Sequence, residues 1–314
     1  MNTKQQSGNP KATLGLIGAG RMGSHMAGRL LAAGYPLAAY DRTAEKARAL
    51  APQGARVVET AKDLALGCEV VLISVTDDAA QEGVMFGPQG ALEGLRAGST
   101  IIDLSSVSPG GSRRLHEAAR EKGATMIDAP VSGSVPQVDQ GSLVIFVGGD
   151  EETYRRCQPI LDVLGASIFH MGPSGMGTAM KLVVNTMLGV GMQALAEAIA
   201  LGEKVGLQKG PLLDVLEQTA VLTAGQKAKL TNVKREQYPA QFSLSLMHKD
   251  FGLILRQAAE VSASMPATAA AHEMFTAAMP TGANEDFSVV IRFMEELAGI
   301  PSAASRSGVS SPRR

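Results

Sequence analysis

The chain has 314 residues, 45 % of them hydrophobic, and a formal net charge of −1. That length implies about two domains, and the near-neutral balance gives no electrostatic basis for binding nucleic acid or an anionic membrane. Charged residues make up only 19 %, below the usual ~25 %, so part of the surface is expected to be buried against another subunit. Cys68 and Cys157 show no metal or redox spacing and fit a reducing cytoplasm. His25, His116, His170, His248 and His272 form no H-x-x-x-H or similar pair, so no metal site is expected.

Residues 1–11 are polar, without the apolar core of a secretion signal, and are expected to be a disordered tail. An apolar run then leads into Gly18-Ala19-Gly20-Arg21-Met22-Gly23 and a helix-like stretch. Strand, glycine turn and helix opening come in the order a dinucleotide site needs. The first glycine permits the turn, the second lets the backbone approach a pyrophosphate, and the third lets helix and strand pack closely. The phosphates are expected on the N–H groups at the helix N-terminus. A second apolar run ends at Asp41, roughly 20 residues on, where a carboxylate can bond the adenosine ribose.

Up to about Gly172, β-rich runs at 14–18, 37–41, 56–58, 70–75, 100–104, 125–128 and 143–148 alternate with helical patterns at 22–33, 43–50, 61–66, 77–84, 111–122 and 151–164. This reads as a Rossmann-type α/β domain over 12–174, with a parallel, doubly wound sheet. Ligands of such sheets bind at the carboxyl ends of the strands. That singles out Asp41, Val75, Thr76, Ser105, Ser106 and the turn Asp128-Ala129-Pro130-Val131-Ser132-Gly133-Ser134. The backbone N–H groups of this last turn suit an anion nest for a carboxylate.

After Gly172 the pattern becomes all helical, which predicts a second domain over 175–301. A segment from 176 to about 205 has the length of a membrane span. Lys181, Asn185, Gln193 and Glu197 recur at multiples of four, with Gly189 between, and instead predict a polar stripe along an otherwise buried helix. Further helices are expected at 212–219, 242–261, 267–278 and 288–297, followed by a disordered tail at 302–314.

Lys181 is the candidate catalytic group. Asn185 lies one turn on, on the same face, and Gly172 to Gly177 has little side-chain bulk to keep a planar cofactor ring away. Desolvation and a cationic nicotinamide are both expected to lower a lysine pKa toward the range of a general base. His248-Lys249-Asp250 adds a lysine that suits a cofactor or a substrate carboxylate, although a solvated charge pair is the default explanation.

These segments together resemble the β-hydroxyacid dehydrogenase family. That family includes 3-hydroxyisobutyrate dehydrogenases, tartronate semialdehyde reductases and glyoxylate/succinic semialdehyde reductases. The resemblance runs over residues 13 to 300, through Gly15 to Gly23, Asp103 to Pro109, Asp128 to Gly133, Gly141 to Gly149, Gly175 to Asn185, Lys249-Asp250 and Asp286-Phe287-Ser288. It implies Lys181 as catalytic acid/base with Asn185 at the substrate hydroxyl, and Ser132, Gly133 and Ser134 at the substrate carboxylate. Gly18 to Gly23, Asp41, Arg42, Thr43, Val75, Thr76, Ser106 and Lys249 fall on the cofactor side. It also implies an all-α domain supporting a homodimer or homotetramer.

Two positions depart from the family pattern. Ser134 stands where relatives usually have a second glycine, which bears on substrate fit. Asp41 stands where users of NADP usually have asparagine, and its charge opposes a 2′-phosphate. Arg42, Thr43 and Lys46 suit that phosphate, so NAD is favoured with dual use open. The expected reaction is reversible hydride transfer between NAD(P) and a small 3-hydroxy acid, giving the semialdehyde. The alternatives are a glyoxylate/succinic semialdehyde or tartronate semialdehyde reductase, an imine reductase, which Lys181 argues against, and a non-catalytic NAD(P)-binding protein.

Overall fold

A computed structural model describes residues 11–301; the tails expected to be disordered lie outside these residues, Lys11 excepted. The chain divides into two compact units, Met1–Lys181 and Leu182–Arg314. The first unit runs through β1 (Leu14–Ile17), α1 (Arg21–Ala32), β2 (Leu37–Tyr40), α2 (Ala44–Arg48), β3 (Arg56–Val57) and α3 (Ala61–Leu66). It continues with β4 (Val70–Ile73), α4 (Asp78–Phe86), α5 (Ala91–Gly94), β5 (Thr100–Asp103), α6 (Pro109–Glu121) and β6 (Thr125–Asp128). Then come β7 (Val131–Ser132), α7 (Val135–Gln140), β8 (Leu143–Gly149), α8 (Glu151–Leu164), β9 (Gly165–Gly172) and the first residues of α9 (Met176–Lys204).

The strands read as unbroken apolar runs because helices cover both faces of their sheet. β1, β4 and β5 are buried at every position. Leu14, Leu16, Leu72 and Ile102 join α1 and α8 in one core, and Ile17, Val71, Ile73 and Ile101 join α3 and α6 in the other. Each such side chain contributes roughly 1.5–3 kcal/mol when fully buried. The strand order is β3-β2-β1-β4-β5-β6-β8-β7, with β9 also paired to β8. Pairing is parallel from β3 through β6, which makes this a Rossmann-type doubly wound sheet. The order reverses between β1 and β4, so the ligand crevice of such a sheet lies beyond their carboxyl ends.

The sheet is not parallel throughout, as the alternation had suggested. β8 runs antiparallel to β6 and β7. The short segment carrying α7 cannot bring the chain back to the start of the sheet, as a parallel crossover must. β9, for which no element is expected from sequence, pairs parallel to β8. Most of its side chains are exposed, so it carries no buried apolar run to mark it.

The second unit holds the rest of α9 with α10 (Lys209–Gln218), α11 (Ala224–Lys234), α12 (Leu244–Glu260), α13 (Pro266–Gly282) and α14 (Val290–Leu297). Its core centres on Phe251 and Phe275, packed edge to face at 5.1 Å, with Met192, Leu195, Ile199 and Met247 around them. Gly189 has a packing reason: a Cβ there would lie 2.3 Å from the Phe251 ring. The pattern expected on α9, a polar stripe along an otherwise buried helix, is not the one that forms. Asn185 and Gln193 lie on the buried face, whereas Val183 and Met187 are exposed. By length and composition alone α9 could cross a membrane. In this fold the Asn185 amide nitrogen donates to Asp250 and the Gln193 amide nitrogen to Glu197, both within the helical unit.

Candidate active site

The three glycines of the first turn have three different surroundings. A Cβ on Gly18, whose φ is +98°, would lie 2.2 Å from the Ser74 carbonyl oxygen. A Cβ on Gly23 would lie 1.9 Å from the Gly18 carbonyl oxygen, so helix and strand touch there. On Gly20 it would meet nothing within 4 Å. α1 opens at Gly20 without a capping side chain and without an acidic residue in its first turn. Space at the second glycine and uncapped N–H groups at a helix start fit a pyrophosphate.

Asp41 does more than wait for a ribose. Its Oδ2 accepts the Ala19 N–H at 2.9 Å and its Oδ1 accepts the Thr43 N–H at 2.8 Å. The carboxylate therefore ties the glycine turn to the end of β2, and each oxygen keeps a lone pair for a further donor. Arg42 and Thr43 are exposed beside it, and Met22 is half-buried behind the turn.

The loops after β4 and β5 are joined through one side chain. The Val75 N–H donates to Ser105 Oγ at 3.0 Å, and the Ser105 N–H donates to Asp103 Oδ1 at 3.0 Å. Gln81 Nε2 donates to Asp103 Oδ2 at 2.5 Å. Burial pushes the Asp103 carboxyl up to about 7, against the hydrogen bonds from Ser105, and the neighbouring Asp128 adds to the rise. Thr76 is exposed and donates to Asp77 Oδ2, and Ser106 is half-buried.

Asp128, at the end of β6, anchors the start of α9. Its Oδ1 accepts the Gly175 N–H at 2.7 Å, and its Oδ2 accepts the Thr178 N–H at 2.8 Å and the Thr178 hydroxyl at 3.1 Å. A carboxylate at a helix N-terminus satisfies donors that the helix leaves open and matches its dipole. Lys181 follows one turn later. Two of the glycines before it pack closely against backbone. A Cβ on Gly177 would lie 2.3 Å from the Phe146 carbonyl oxygen, and one on Gly175 3.2 Å from the Pro109 carbonyl oxygen.

In the turn after β6, Ser132 closes β7 and Gly133 has φ +133°. Ser134 donates both its N–H and its hydroxyl to Gln137 Oε1 at 2.9 Å. Its donors are therefore taken up in the capping turn of α7.

Within the helical unit, Asn185 and Lys249 are brought together by a residue the sequence reading had not placed in the site. Asn185 Nδ2 donates to Asp250 Oδ2 at 2.5 Å, and Lys249 Nζ lies 2.6 Å from Asp250 Oδ1. Asp250 and Asn185 are each 1 % exposed. An ionised carboxylate only accepts, so Asp250 fixes which way the amide faces. Asn185 Oδ1 is then left buried with no hydrogen-bond partner. An acidic residue in the apolar run of α12 was the available signal. Among the described residues no group of three or more His, Cys, Asp or Glu is placed to hold a metal.

The sites thus fall in two groups. The first unit gathers the glycine turn, Asp41, Val75, Thr76, Ser106 and Ser132 to Ser134 at the carboxyl ends of β1, β2, β4, β5, β6 and β7. The second holds Asn185, Asp250 and Lys249. α9 runs through both and carries Lys181 and Asn185 one turn apart.

Residues 13–172 match the NAD binding domain of 6-phosphogluconate dehydrogenase, and residues 175–294 match a family described as NAD-binding of NADP-dependent 3-hydroxyisobutyrate dehydrogenase. The chain is 35 % identical to a 2-(hydroxymethyl)glutarate dehydrogenase of Eubacterium barkeri over 289 residues, 91 % of this chain and 96 % of that one. It is 35 % identical to glyoxylate/succinic semialdehyde reductase 1 of Arabidopsis thaliana over 279 residues, 88 % of this chain and 96 % of that one. Among solved structures, the 3-hydroxyisobutyrate dehydrogenase of Mycobacterium tuberculosis with L-serine is similar at a TM-score of 0.81 and 30 % identity, covering 90 % of this chain and 98 % of that one.

Proposed function

Because the chain belongs to the β-hydroxyacid dehydrogenase family, we propose that it interconverts a small 3-hydroxy acid and its semialdehyde, with Lys181 as the acid/base. It is an NAD(P)-dependent oxidoreductase acting on a CH–OH group. A bound nicotinamide supplies the hydride acceptor in oxidation and the donor in reduction. Gly18 to Gly23 hold the pyrophosphate at the start of α1, and Asp41, Arg42 and Thr43 receive the adenosine ribose. Val75, Thr76, Ser106 and Lys249 complete the cofactor side. Ser132 and Gly133 bind the substrate carboxylate through the turn after β6.

In oxidation Lys181 takes the proton from the hydroxyl oxygen as hydride leaves the carbon that bears it for the nicotinamide, forming the carbonyl. In reduction it returns that proton to the carbonyl oxygen. One observation carries this reading. Asn185, one turn after Lys181, has its amide nitrogen held by Asp250 and its buried Oδ1 unpartnered. A buried acceptor without a donor is costly, and a substrate hydroxyl or an ammonium supplies the missing donor.

NAD is the proposed preference, because the Asp41 charge opposes a 2′-phosphate. A homodimer or homotetramer acting in the cytoplasm belongs to the same proposal. Its support is the low charge content and the apolar Val183 and Met187 exposed on α9.

The test is an absorbance assay of nicotinamide reduction with 3-hydroxyisobutyrate, 3-hydroxypropionate, glycerate, 4-hydroxybutyrate and 2-(hydroxymethyl)glutarate, each with NAD and with NADP. Lys181→Ala is expected to abolish turnover and leave cofactor binding largely intact. Near-normal turnover in that variant removes Lys181 from the chemistry. Cofactor binding with no oxidation of any hydroxy acid favours a non-catalytic role.

A further inference from the structure

We propose that Asp103 is a positioning residue for the nicotinamide cofactor, holding the loops after β4 and β5 in one arrangement through Ser105. The inference rests on the dinucleotide-binding reading above and concerns a residue to which that reading gives no role. The carboxylate sits at the carboxyl end of β5 and is 1 % exposed. It accepts the Ser105 N–H and Gln81 Nε2, and Ser105 Oγ in turn accepts the Val75 N–H. Ser105, in the loop after β5, is thereby tied at its backbone to the end of that strand and at its hydroxyl to the loop after β4. Val75 and Ser106, both on the proposed cofactor side, flank the two ends of this tie. The relay therefore sets the spacing of two walls at the carboxyl edge of the sheet, where ligands of this architecture bind.

Its cost argues that it is kept for a purpose. The register neighbours of Asp103 are Ile73 on β4 and Asp128 on β6, and α4 presents Gln81. The charged group beside it is thus a second carboxylate, and among the described residues no cation contributes to its shift. Its carboxyl is pushed up to about 7, far above the usual carboxylate range of about 4. A folded-state pKa above the unfolded one means that stability falls as pH rises toward 7, because the buried group must ionise. A carboxylate that lowers stability at neutral pH and ties two loops at the carboxyl edge of the sheet is a functional candidate rather than a packing element.

Asparagine at 103 has one acceptor oxygen where the carboxylate has two, so it can take the Ser105 N–H or Gln81 Nε2 but not both, at the same size and without the buried charge. The experiment compares wild type, Asp103→Asn and Ser105→Ala by fluorescence titration with NADH and NADPH at pH 6 and pH 8, with thermal melts alongside. Wild type is expected to bind more tightly at pH 8, where the carboxylate is ionised and accepts. Asp103→Asn is expected to bind about tenfold more weakly at pH 8, with little pH dependence and a melting temperature at or above wild type. Ser105→Ala, which removes the acceptor of the Val75 N–H, is expected to weaken binding similarly while leaving the β5 end packed. Unchanged affinity and an unchanged pH profile in Asp103→Asn overturn the assignment, as does a lower melting temperature with normal affinity, which marks a packing role. Wild type that binds neither nucleotide overturns the dinucleotide-binding reading itself, and the assignment with it.

Discussion

Asn185 Nδ2 donates to Asp250 Oδ2 across 2.5 Å, with both residues almost wholly buried. The same carboxylate lies 2.6 Å from Lys249 Nζ. One acidic side chain thus orients the residue proposed for the substrate hydroxyl and balances the lysine proposed for the cofactor. Its position is dictated within the helical unit, since all three groups belong to α9 or α12.

Replacing Asp250 should therefore act on turnover before it acts on fold. Asp250→Asn can still offer an acceptor to Asn185 but leaves Lys249 without its counter-charge. Asp250→Ala also frees the amide to rotate. Turnover is expected to fall roughly 10-fold in the first and about 10²-fold in the second, the scale on which misplaced reacting groups lose rate. Steady-state rates with both cofactors, beside circular dichroism, check this. Normal turnover in Asp250→Ala removes the residue from the site.

The three glycines of the first turn should separate binding from folding. Gly20→Ala adds a methyl where no protein atom lies within 4 Å, so folding is expected to be normal. NAD(P)H affinity is expected to drop at least 10-fold, because the methyl enters the space of the pyrophosphate. Gly23→Ala places a methyl against the Gly18 carbonyl oxygen, and backbone cannot move aside as a side chain can. Loss of roughly 1–3 kcal/mol or failure to fold is expected there. Melting curves and fluorescence titrations distinguish the two. A Gly20→Ala protein that binds cofactor normally shows that the pyrophosphate is not held at this turn.

Asp41 has two duties, and its substitution should reveal both. Asp41→Asn removes the charge that opposes a 2′-phosphate yet keeps an oxygen for one of the two N–H donors, Ala19 or Thr43. The ratio of kcat/KM for NADP to that for NAD is expected to rise about 10-fold, the worth of roughly 1.4 kcal/mol. The melting temperature is expected to fall slightly, because the amide presents a donor to the second N–H. An unchanged ratio means that Asp41 only staples the loop.

Much of the fold was legible because its signals are local. The strand, glycine turn and helix at 14–32, the buried runs of β4 and β5 and the long α9 each announce themselves by pattern along one continuous segment. β9 was hidden by its exposed side chains. α11 was passed over because only Leu230 and Val233 mark a buried face, although Thr223 and Gln226 form the capping box that signals its start. The site was half legible for the same reason. Lys181 and Asn185 share one helix, so spacing pairs them. Asp103 and Asp250 take their meaning from burial and from partners 22 and 65 residues away, which local pattern does not carry.

Glu295 on α14 offers a pH test that is independent of the cofactor. Lys209 Nζ lies 2.6 Å from its Oε1. Burial pushes the Glu295 carboxyl up to about 7; the Lys209 ammonium opposes that shift and the Glu203 carboxyl adds to it. The folded state therefore holds this proton more tightly than the unfolded chain, whose glutamate titrates near ~4.3. The stability it contributes is fully present below that pH and is lost as pH rises through about 7. Glu295→Gln stays neutral and retains a hydrogen-bonding side chain of the same size, so it removes the loss. Between pH 5 and pH 8.5 the wild-type melting temperature is expected to fall by a few degrees more than that of Glu295→Gln, at about 2–4 °C per kcal/mol for a chain unit of this size. Other titrating groups, Asp103 among them, are common to both proteins, so the difference between the two curves belongs to Glu295. Parallel curves across that window mean that the Glu295 carboxylate is ionised in the fold from pH 5 upward, with Lys209 outweighing its burial.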